Sequence, residues 1–536
     1  VQRKNQAKMK KKLFILIYFF TVTFAHAQAQ FQMRYGSSYH DHASKVIQTQ
    51  DGNYVVVGST DGFGSNGNAM IMKANAAGTL LWVKDYSGIN PDEINDIIEL
   101  SDKSLVMCGT TGSYGAGEDD FFVMKTDSVG TLMWASAHGT FLWETFLRIT
   151  EDGTGGYYAA GYASDSVNNG VFGNIVMRLD VNGNILWTKW VDGWCSGAMD
   201  ITPLASGGVI IGSVVDPCTN FSLYKFDALG NLIWSKNYLP TPTFSGLYGL
   251  SILENSSGEI IVNCALNNQN TVAQSTDDFI IKLNANGNLI SDNAYGGTYT
   301  DVNSTIINTS DGGLMLCGYT NSVGNGSDDA FLIKLNSNGS VHWAKAYGTP
   351  WQEHPTNPIQ TTDGGYVFTG ETYSVGNNYD SAKVYLVKTD SLGNTSCHGI
   401  IWNPTETNQT ISIGSATPPI NRTYQKTNIS WALNNRYFYA KDICAPTSVF
   451  SLTETKSWNI YPNPFSAQAT LQTDKFLNDA TLTLYNSAGE QVEQINNISG
   501  NTVNLTRDNL SSGLYFFRLT QDNKIITAGK LVIEDN

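Results

Sequence analysis

Apolar residues along the chain fall in short runs closed by glycine or polar turns, and no long stretch keeps the helical period of an amphipathic helix. One unit recurs. A polar turn leads into an apolar strand ending in Gly; a variable loop, a strand ending in a basic residue, an Asn/Asp-x-x-Gly turn and a Trp strand follow. Its clearest copy reads Asp311-Gly312-Gly313, Leu314-Met315-Leu316-Cys317-Gly318, Asp328-Asp329, Phe331-Leu332-Ile333-Lys334-Leu335, Asn336-Ser337-Asn338-Gly339 and Trp343. The basic residue returns at Lys73, Lys125, Arg178, Lys225, Lys282, Lys334 and Lys388. Trp82, Trp134, Trp187, Trp234 and Trp343 keep the same spacing, with Ser291 in the fifth copy. A further apolar stretch such as 304–307 precedes the Asp-Gly turn, so each copy predicts four short strands.

Four antiparallel strands in about 50 residues is the size of a propeller blade, and seven copies predict an all-β, seven-bladed β-propeller. Closure separates a ring from an open solenoid. The seventh copy lacks the Trp-x-Lys-x-Tyr strand, and Phe31-Gln32-Met33-Arg34-Tyr35-Gly36 matches Trp343-Ala344-Lys345-Ala346-Tyr347-Gly348. The N-terminal strand is therefore expected to pair with residues 384–388 and complete the last blade, which removes the exposed edges. The expected propeller spans 28–395, followed by a β-rich spacer or extra cover over 396–457. The Asp-x-x-Gly-x-x-x-Trp stretches, as at Asp127 to Trp134, resemble the tryptophan-docking repeat of bacterial quinoprotein propellers. That resemblance implies Trp packing between neighbouring blades. It does not extend to quinoprotein chemistry, because that family has eight blades and an adjacent Cys pair, and this chain has neither.

The two ends differ from the repeat. Lys10, Lys11 and Lys12, an apolar run from Leu13 to Phe24 and Ala25-His26-Ala27 read as a secretory signal peptide over 1–27, with Met9 as its start. The run is too short to span a bilayer, and no transmembrane helix is expected in the mature chain. Residues 458–536 alternate apolar and polar positions between Gly turns, the pattern of a small C-terminal β-sandwich. Ile460-Tyr461-Pro462-Asn463-Pro464-Phe465, the stretch from Leu482 through Tyr485 to Gly489, Gly513-Leu514-Tyr515-Phe516 and Lys530-Leu531-Val532-Ile533 resemble the type A C-terminal sorting domain of type IX secretion. The resemblance implies export through the periplasm to the medium or the outer cell surface. It also implies two partners, the outer-membrane translocon and a sortase-like peptidase.

Charge and cysteine narrow the chemistry. The net charge is −15, and removal of the six basic residues of 1–27 leaves −21, a field that excludes nucleic acid as a partner. Among seven cysteines, Cys108, Cys264 and Cys317 share one strand position beside apolar neighbours and read as buried thiols. Cys195 with Cys218, and Cys397 with Cys444, are candidate disulfides.

The longer connections lie at one end of the ring and collect acids: Asp119, Asp120, Asp277, Asp278, Asp328 and Asp329 from one loop class, and Asp41, Asp92, Asp301 and Glu353 from the other. Oxygen ligands of this kind suit calcium or sugar hydroxyls. Their recurrence in many blades equally suits strand capping, and adjacent acids in a strand point to opposite faces, so Asp328 and Asp329 form no dyad. His40 and His42, with His354, offer a weak metal set. No nucleophile elbow, zincin helix or phosphate loop is present. The expected function is a non-catalytic binding or scaffold module for a glycan or protein ligand, exported by type IX secretion. The alternative is a propeller-type polysaccharide hydrolase or lyase, which requires one specialised pocket. Blade four, with Trp194-Cys195 and Pro217-Cys218, is the least regular.

Overall fold

The computed structural model describes residues 29–61, 67–165, 171–193, 199–215, 218–241, 246–267, 276–373, 382–397, 399–407, 410–421, 425–429, 431–436, 438–443, 458–486, 491–521 and 524–535. Two compact units emerge, one up to Cys444 and one from Ala445 onward.

In the first unit each repeat folds as an antiparallel meander. Blade 1 runs Asp41–Gln48, Tyr54–Thr60, Asn68–Ala74 and Leu80–Ser87. The innermost strands of the next six blades are Asp92–Glu99, Glu144–Glu151, Met199–Pro203, Gly246–Glu254, Asp301–Asn308 and Glu353–Gln360. Blade 7 is completed by Phe31–Gly36, whose register with the third strand sets Phe31 opposite Lys388 and Tyr35 opposite Val384. The seven-bladed ring is thus closed by the N-terminal strand, as the missing Trp strand of the seventh repeat predicts.

The repeat's signature residues join each blade to its own turn and to its neighbour. The basic residue ending the third strand turns back to the acid of the Asp-Gly turn: Lys73 meets Asp51 at 2.8 Å, Arg178 meets Asp152 at 2.7 Å and Lys334 meets Asp311 at 2.9 Å. The Trp-x-Lys-x-Tyr strand faces the next blade. Trp82, Trp134, Trp187, Trp234 and Trp343 lie over Gly130, Gly183, Gly230, Gly287 and Gly393, where a Cβ would stand within 3.3 Å of the indole. All five glycines have φ between 71° and 80°, so the Asn/Asp-x-x-Gly turn needs Gly both for its backbone and for the ring above it. The Tyr hydroxyl then donates to the same glycine's carbonyl, as in Tyr238 to Gly287 and Tyr347 to Gly393, both at 2.8 Å. The hydrophobic core is accordingly distributed: each seam between blades holds its own buried cluster, such as Met315, Leu332, Tyr347, Phe368 and Val387 between blades 6 and 7.

Round the axis, polar groups of the innermost strands bridge one blade to the next. Lys45 meets Asp96 at 3.0 Å, Asp96 accepts the Ile149 amide, Arg148 meets Asp200 at 3.2 Å, and Asp200 accepts the Ile252 amide. Ser251 accepts the Ile306 amide, Thr305 donates to Asn357, and Asn357 donates to the Ser44 carbonyl, which completes the circuit.

Residues 399–442 add a fifth strand to every blade. Gly399–Trp402 pairs with blade 6, Thr405–Thr407 with blade 5 and Thr410–Gly414 with blade 4. Ile420–Asn421, Gln425–Asn428, Ala432–Arg436 and Tyr439–Asp442 then follow on blades 3, 2, 1 and 7. The chain therefore circles the ring backward as a belt, antiparallel to every outer strand, and covers each blade's free edge. From its strand ends and connections it drops apolar side chains into the seams: Trp402 packs on Phe331, and Trp431 contacts Tyr86 and Phe122. Arg436 forks onto the fully buried Asp85 at 2.5 and 3.1 Å.

The second unit is a small curled sheet built from Trp458–Tyr461, Gln468–Tyr485, Gln491–Thr506, Gly513–Gln521 and Lys524–Ile533. Its long strand pairs with three others and encloses a core of Leu471, Leu482, Leu484, Phe517, Leu519 and Leu531. Asn463 accepts the Val532 amide at 2.8 Å and Phe465 brackets Ile533, so the Tyr461-Pro462-Asn463-Pro464 stretch fastens the domain's beginning to its last strand around Lys530. The Tyr515 hydroxyl donates to the Ser511 carbonyl, Gly513 holds φ 153°, and Arg518 donates to Tyr485. Gly489 lies outside the described residues.

Candidate functional site

The acids gather at the end of the ring where first and third strands begin. Those opening a first strand are tied into the loop before them. Asp41 accepts the Ser37 amide at 2.7 Å and the Thr60 hydroxyl at 2.6 Å. Asp92 accepts Gly88 and Thr111, Asp301 accepts Gly297 and Thr320, and Glu353 accepts Thr349 and Thr372. Glu144, which the motif reading passes over, holds the same position with Thr140. Its signal is present in sequence, because Thr140-x-x-x-Glu144 repeats Thr349-x-x-x-Glu353. All five carboxylates are buried.

Acids opening a third strand lie beside the next blade's first-strand acid. Asp120 accepts the Ala116 and Gly117 amides, and Asp329 accepts the Gly326 amide. Asp277 and Asp278 open the same strand in blade 5. Asp119 and Asp328 point the other way: Asp119 is bonded by Trp143, and Asp328 faces His354 at 3.5 Å. Burial raises the carboxyls of Asp41, Asp92, Asp120, Asp301 and Asp329, and lifts Asp277 to about 6 and Glu144 and Glu353 to about 7.

An open cleft of about 390 Å³ crosses blades 1 to 3 at this end. Trp143 stands on its wall, 46 % exposed, with Tyr162, Glu93, Asn95, Thr110 and Asp119 around it. Sequence reasoning passed over Trp143 and Glu93, since neither falls at a repeated position. An exposed aromatic among hydrogen-bonding groups offers a stacking face with polar handles.

His40 and His42 meet Glu371 at 3.4 and 3.7 Å, and His42 bonds Glu93 at 2.7 Å. His354 stands opposite Glu371 in the neighbouring strand, and its ring faces Asp328 instead. Among the described residues no three His, Cys, Asp or Glu side chains converge as a metal site. Cys108, Cys264 and Cys317 are buried as thiols, and Cys218 and Cys397 are disulfide-bonded. Cys195 and Cys444 lie outside the described residues, as does segment 1–27, which the sequence leads one to expect as a signal peptide.

Residues 459–534 match the secretion system C-terminal sorting domain, and residues 309–341 match a β-propeller domain of unknown function, DUF5122. No curated protein matches the chain. Among solved structures, a protein of unknown function from Dyadobacter fermentans DSM 18053 is 10% identical, with 66% of this chain and 97% of that chain covered at a TM-score of 0.36. An exo-β-1,3-galactanase from Clostridium thermocellum is 10% identical over 57% of this chain and 94% of that one, at a TM-score of 0.27. An endo-1,5-α-L-arabinanase from Thermotoga petrophila RKU-1 is 12% identical over 64% and 82%, at 0.23. These likenesses are too low to carry chemistry onto this chain. Among the described residues no helix is long and apolar enough to cross a membrane. The chain is an all-β, seven-bladed propeller followed by a secretion system C-terminal sorting domain, which directs it through type IX secretion to the cell surface or the medium.

Proposed function

We propose that the propeller is a non-catalytic binding module and that its cleft across blades 1 to 3 takes a neutral glycan. The observation that carries this reading is Trp143, an exposed indole that lines the cleft together with side chains that accept hydroxyl hydrogens. Sugar rings present an apolar face to an aromatic plane and hydroxyls to Glu93, Asn95 and Asp119. The surrounding carboxylates disfavour anionic sugars. A hydrolase would need one acid singled out by its surroundings. Glu144 in the cleft has the same environment as Glu353 four blades on, which favours a repeated structural setting over a catalytic one.

A glycan array probed with the full chain tests this, with Trp143→Ala as the control. Binding to neutral polysaccharide that falls roughly ten-fold or more in the variant, about 1.4 kcal/mol, supports the reading. Equal binding by both proteins, or release of reducing ends from the bound polysaccharide, overturns it.

A further inference from the structure

Seven equivalent seams allow one to be read against another. Where blade 7 meets blade 1, the residue opening the third strand is Lys383. Its ammonium lies 3.5 Å from Asp41 and donates to the carbonyl oxygens of Tyr39 and Ala382. This seam supplies its own cation, held by one carboxylate and two carbonyls.

The seams between blades 2 and 3 and between blades 6 and 7 keep that cage but not its lysine. Glu144 and Glu353 replace Asp41, and their amides bond the Asp119 and Asp328 carbonyls as the Asp41 amide bonds Ala382. Leu142 and Trp351 replace Tyr39. Their carbonyls converge with those of Thr140 and Thr349 over Gly117 and Gly326, where an added Cβ would stand 1.9 to 2.8 Å from the four oxygens. At the position of Lys383 stand Asp120 and Asp329. Each is 1 % exposed, and each has one carboxylate oxygen, Oδ1, with no hydrogen-bond partner. Asp329 Oδ1 and Glu353 Oε2 lie 1.9 and 2.7 Å from the point a Cβ on Gly348 would occupy, so the two carboxylates face each other across the seam. Buried like charges with an orphaned oxygen are costly unless a proton or a cation neutralises them.

We propose that each of these two seams binds a calcium ion, held by the Asp120–Glu144 pair in one and the Asp329–Glu353 pair in the other, with backbone carbonyls completing the shell. Calcium fits because every donor is a hard oxygen and because it tolerates irregular shells of six to eight ligands. The ion does for these seams what the Lys383 ammonium does for the closing seam. It fastens adjacent blades; in the seam between blades 2 and 3 it borders the glycan cleft, since Leu142 and Glu144 flank Trp143, whereas the seam between blades 6 and 7 shares no residue with that cleft's lining.

The test uses the full chain freed of metal by chelator and dialysed against calcium at roughly 1 mM, the range in which extracellular modules bind it. Elemental analysis is expected to find bound calcium, and the melting temperature is expected to rise by several degrees over the chelated sample. Asp329→Asn should lose one equivalent of calcium and part of that rise. Asp329→Lys, which copies the closing seam, should lose the same equivalent while its melting temperature in chelator exceeds that of the unmodified chain. Should either variant fail to fold, calorimetric titration of the unmodified chain with calcium decides alone. A flat titration, with a melting temperature indifferent to calcium, overturns the proposal.

Discussion

Phe31 lies face-on to Gly78, with its ring carbons 3.1 to 3.2 Å from where a Cβ on that glycine would be. The contact repeats the Trp-over-Gly packing of five other seams, with Phe in place of Trp, and Tyr35 donates to the Gly78 carbonyl at 2.5 Å. The seam that closes the ring thus uses the same joint as the seams formed within the repeat.

Truncating that joint should loosen the whole ring. Phe31→Ala removes a buried aromatic ring and should destabilise the propeller by about 3 kcal/mol or more, whereas Phe31→Trp should fold normally. Denaturant titration checks this. A midpoint unmoved by the Ala change would mean that closure does not depend on the first strand.

The belt's ion pair offers a second test. Asp85 is fully buried, and Arg436 with Asn68 satisfies its carboxylate. Arg436→Ala leaves that charge uncompensated and should cost about 3 to 5 kcal/mol. Adding Asp85→Asn should recover much of the loss. Thermal melts that rank the double variant no better than the single one would contradict this assignment.

The two ends of the belt come to one residue. The Gln32 side chain donates to the Cys397 carbonyl at 2.5 Å, and its backbone carbonyl accepts the Ile443 amide at 2.8 Å. We therefore expect the Cys397 disulfide to be made with Cys444, turning the belt into a covalent hoop. Non-reducing peptide mapping should recover the two cysteines in one cross-linked peptide; recovery of Cys397 linked to Cys195 or Cys218 instead would refute the pairing.

The histidine cluster sets a pH dependence. His40 is raised by its hydrogen bond to Glu371, against the lowering effect of burial and of His42. Burial disfavours the charged form of His42, but the bond to Glu93 and the charges of Glu93 and Glu371 outweigh it, so its pKa is raised too. Burial likewise pushes the Glu371 carboxyl up, and the His40 bond, His42 charge and Tyr373 hydroxyl together hold it below its usual range. Raised histidines stabilise fully below about pH 6.5 and lose that effect as pH rises through their folded values. A depressed glutamate stabilises above about pH 4.5 and loses its effect as pH falls. The stability difference between the unmodified chain and Glu371→Gln should therefore peak between about pH 4.5 and 6.5 and shrink on either side. A difference that keeps growing toward pH 9 would rule this out.

Removing residues 458–536 should leave a folded propeller that stays in the periplasm, since the two compact units are separate. Fractionation of cells expressing the truncated chain checks it. Normal levels in the medium or at the surface without lysis would show that the sorting domain is dispensable.

The ring was legible because its joints are made of repeated side chains. Each Trp, Tyr, turn glycine and strand-ending lysine has a partner at a fixed register, so periodicity alone marks them. The belt carries no such signal. Its strands meet the blades through backbone hydrogen bonds, which any residue but proline supplies, and its anchors Trp402, Trp431 and Phe438 come at irregular intervals. The acidic rim was legible as composition but not as geometry. Whether Asp329 or Asp328 turns inward depends on strand phase, and the pairing of Asp329 with Glu353 crosses a seam that no local window spans.

The belt also fixes how the propeller bears load. Its last strand, Tyr439–Asp442, is laddered to Phe31–Gly36, so the first and last strands of the ring share one blade. Given the expected Cys397–Cys444 bond, a pull on the chain beyond Cys444 runs through the disulfide to Cys397 and leaves the belt's own ladders unloaded. Reduction of that bond puts the load on the ladder with Phe31–Gly36 first, and the belt then comes away blade by blade, like a strip peeled from a drum. The disulfide thus decides whether the seven added strands carry force or are shielded from it.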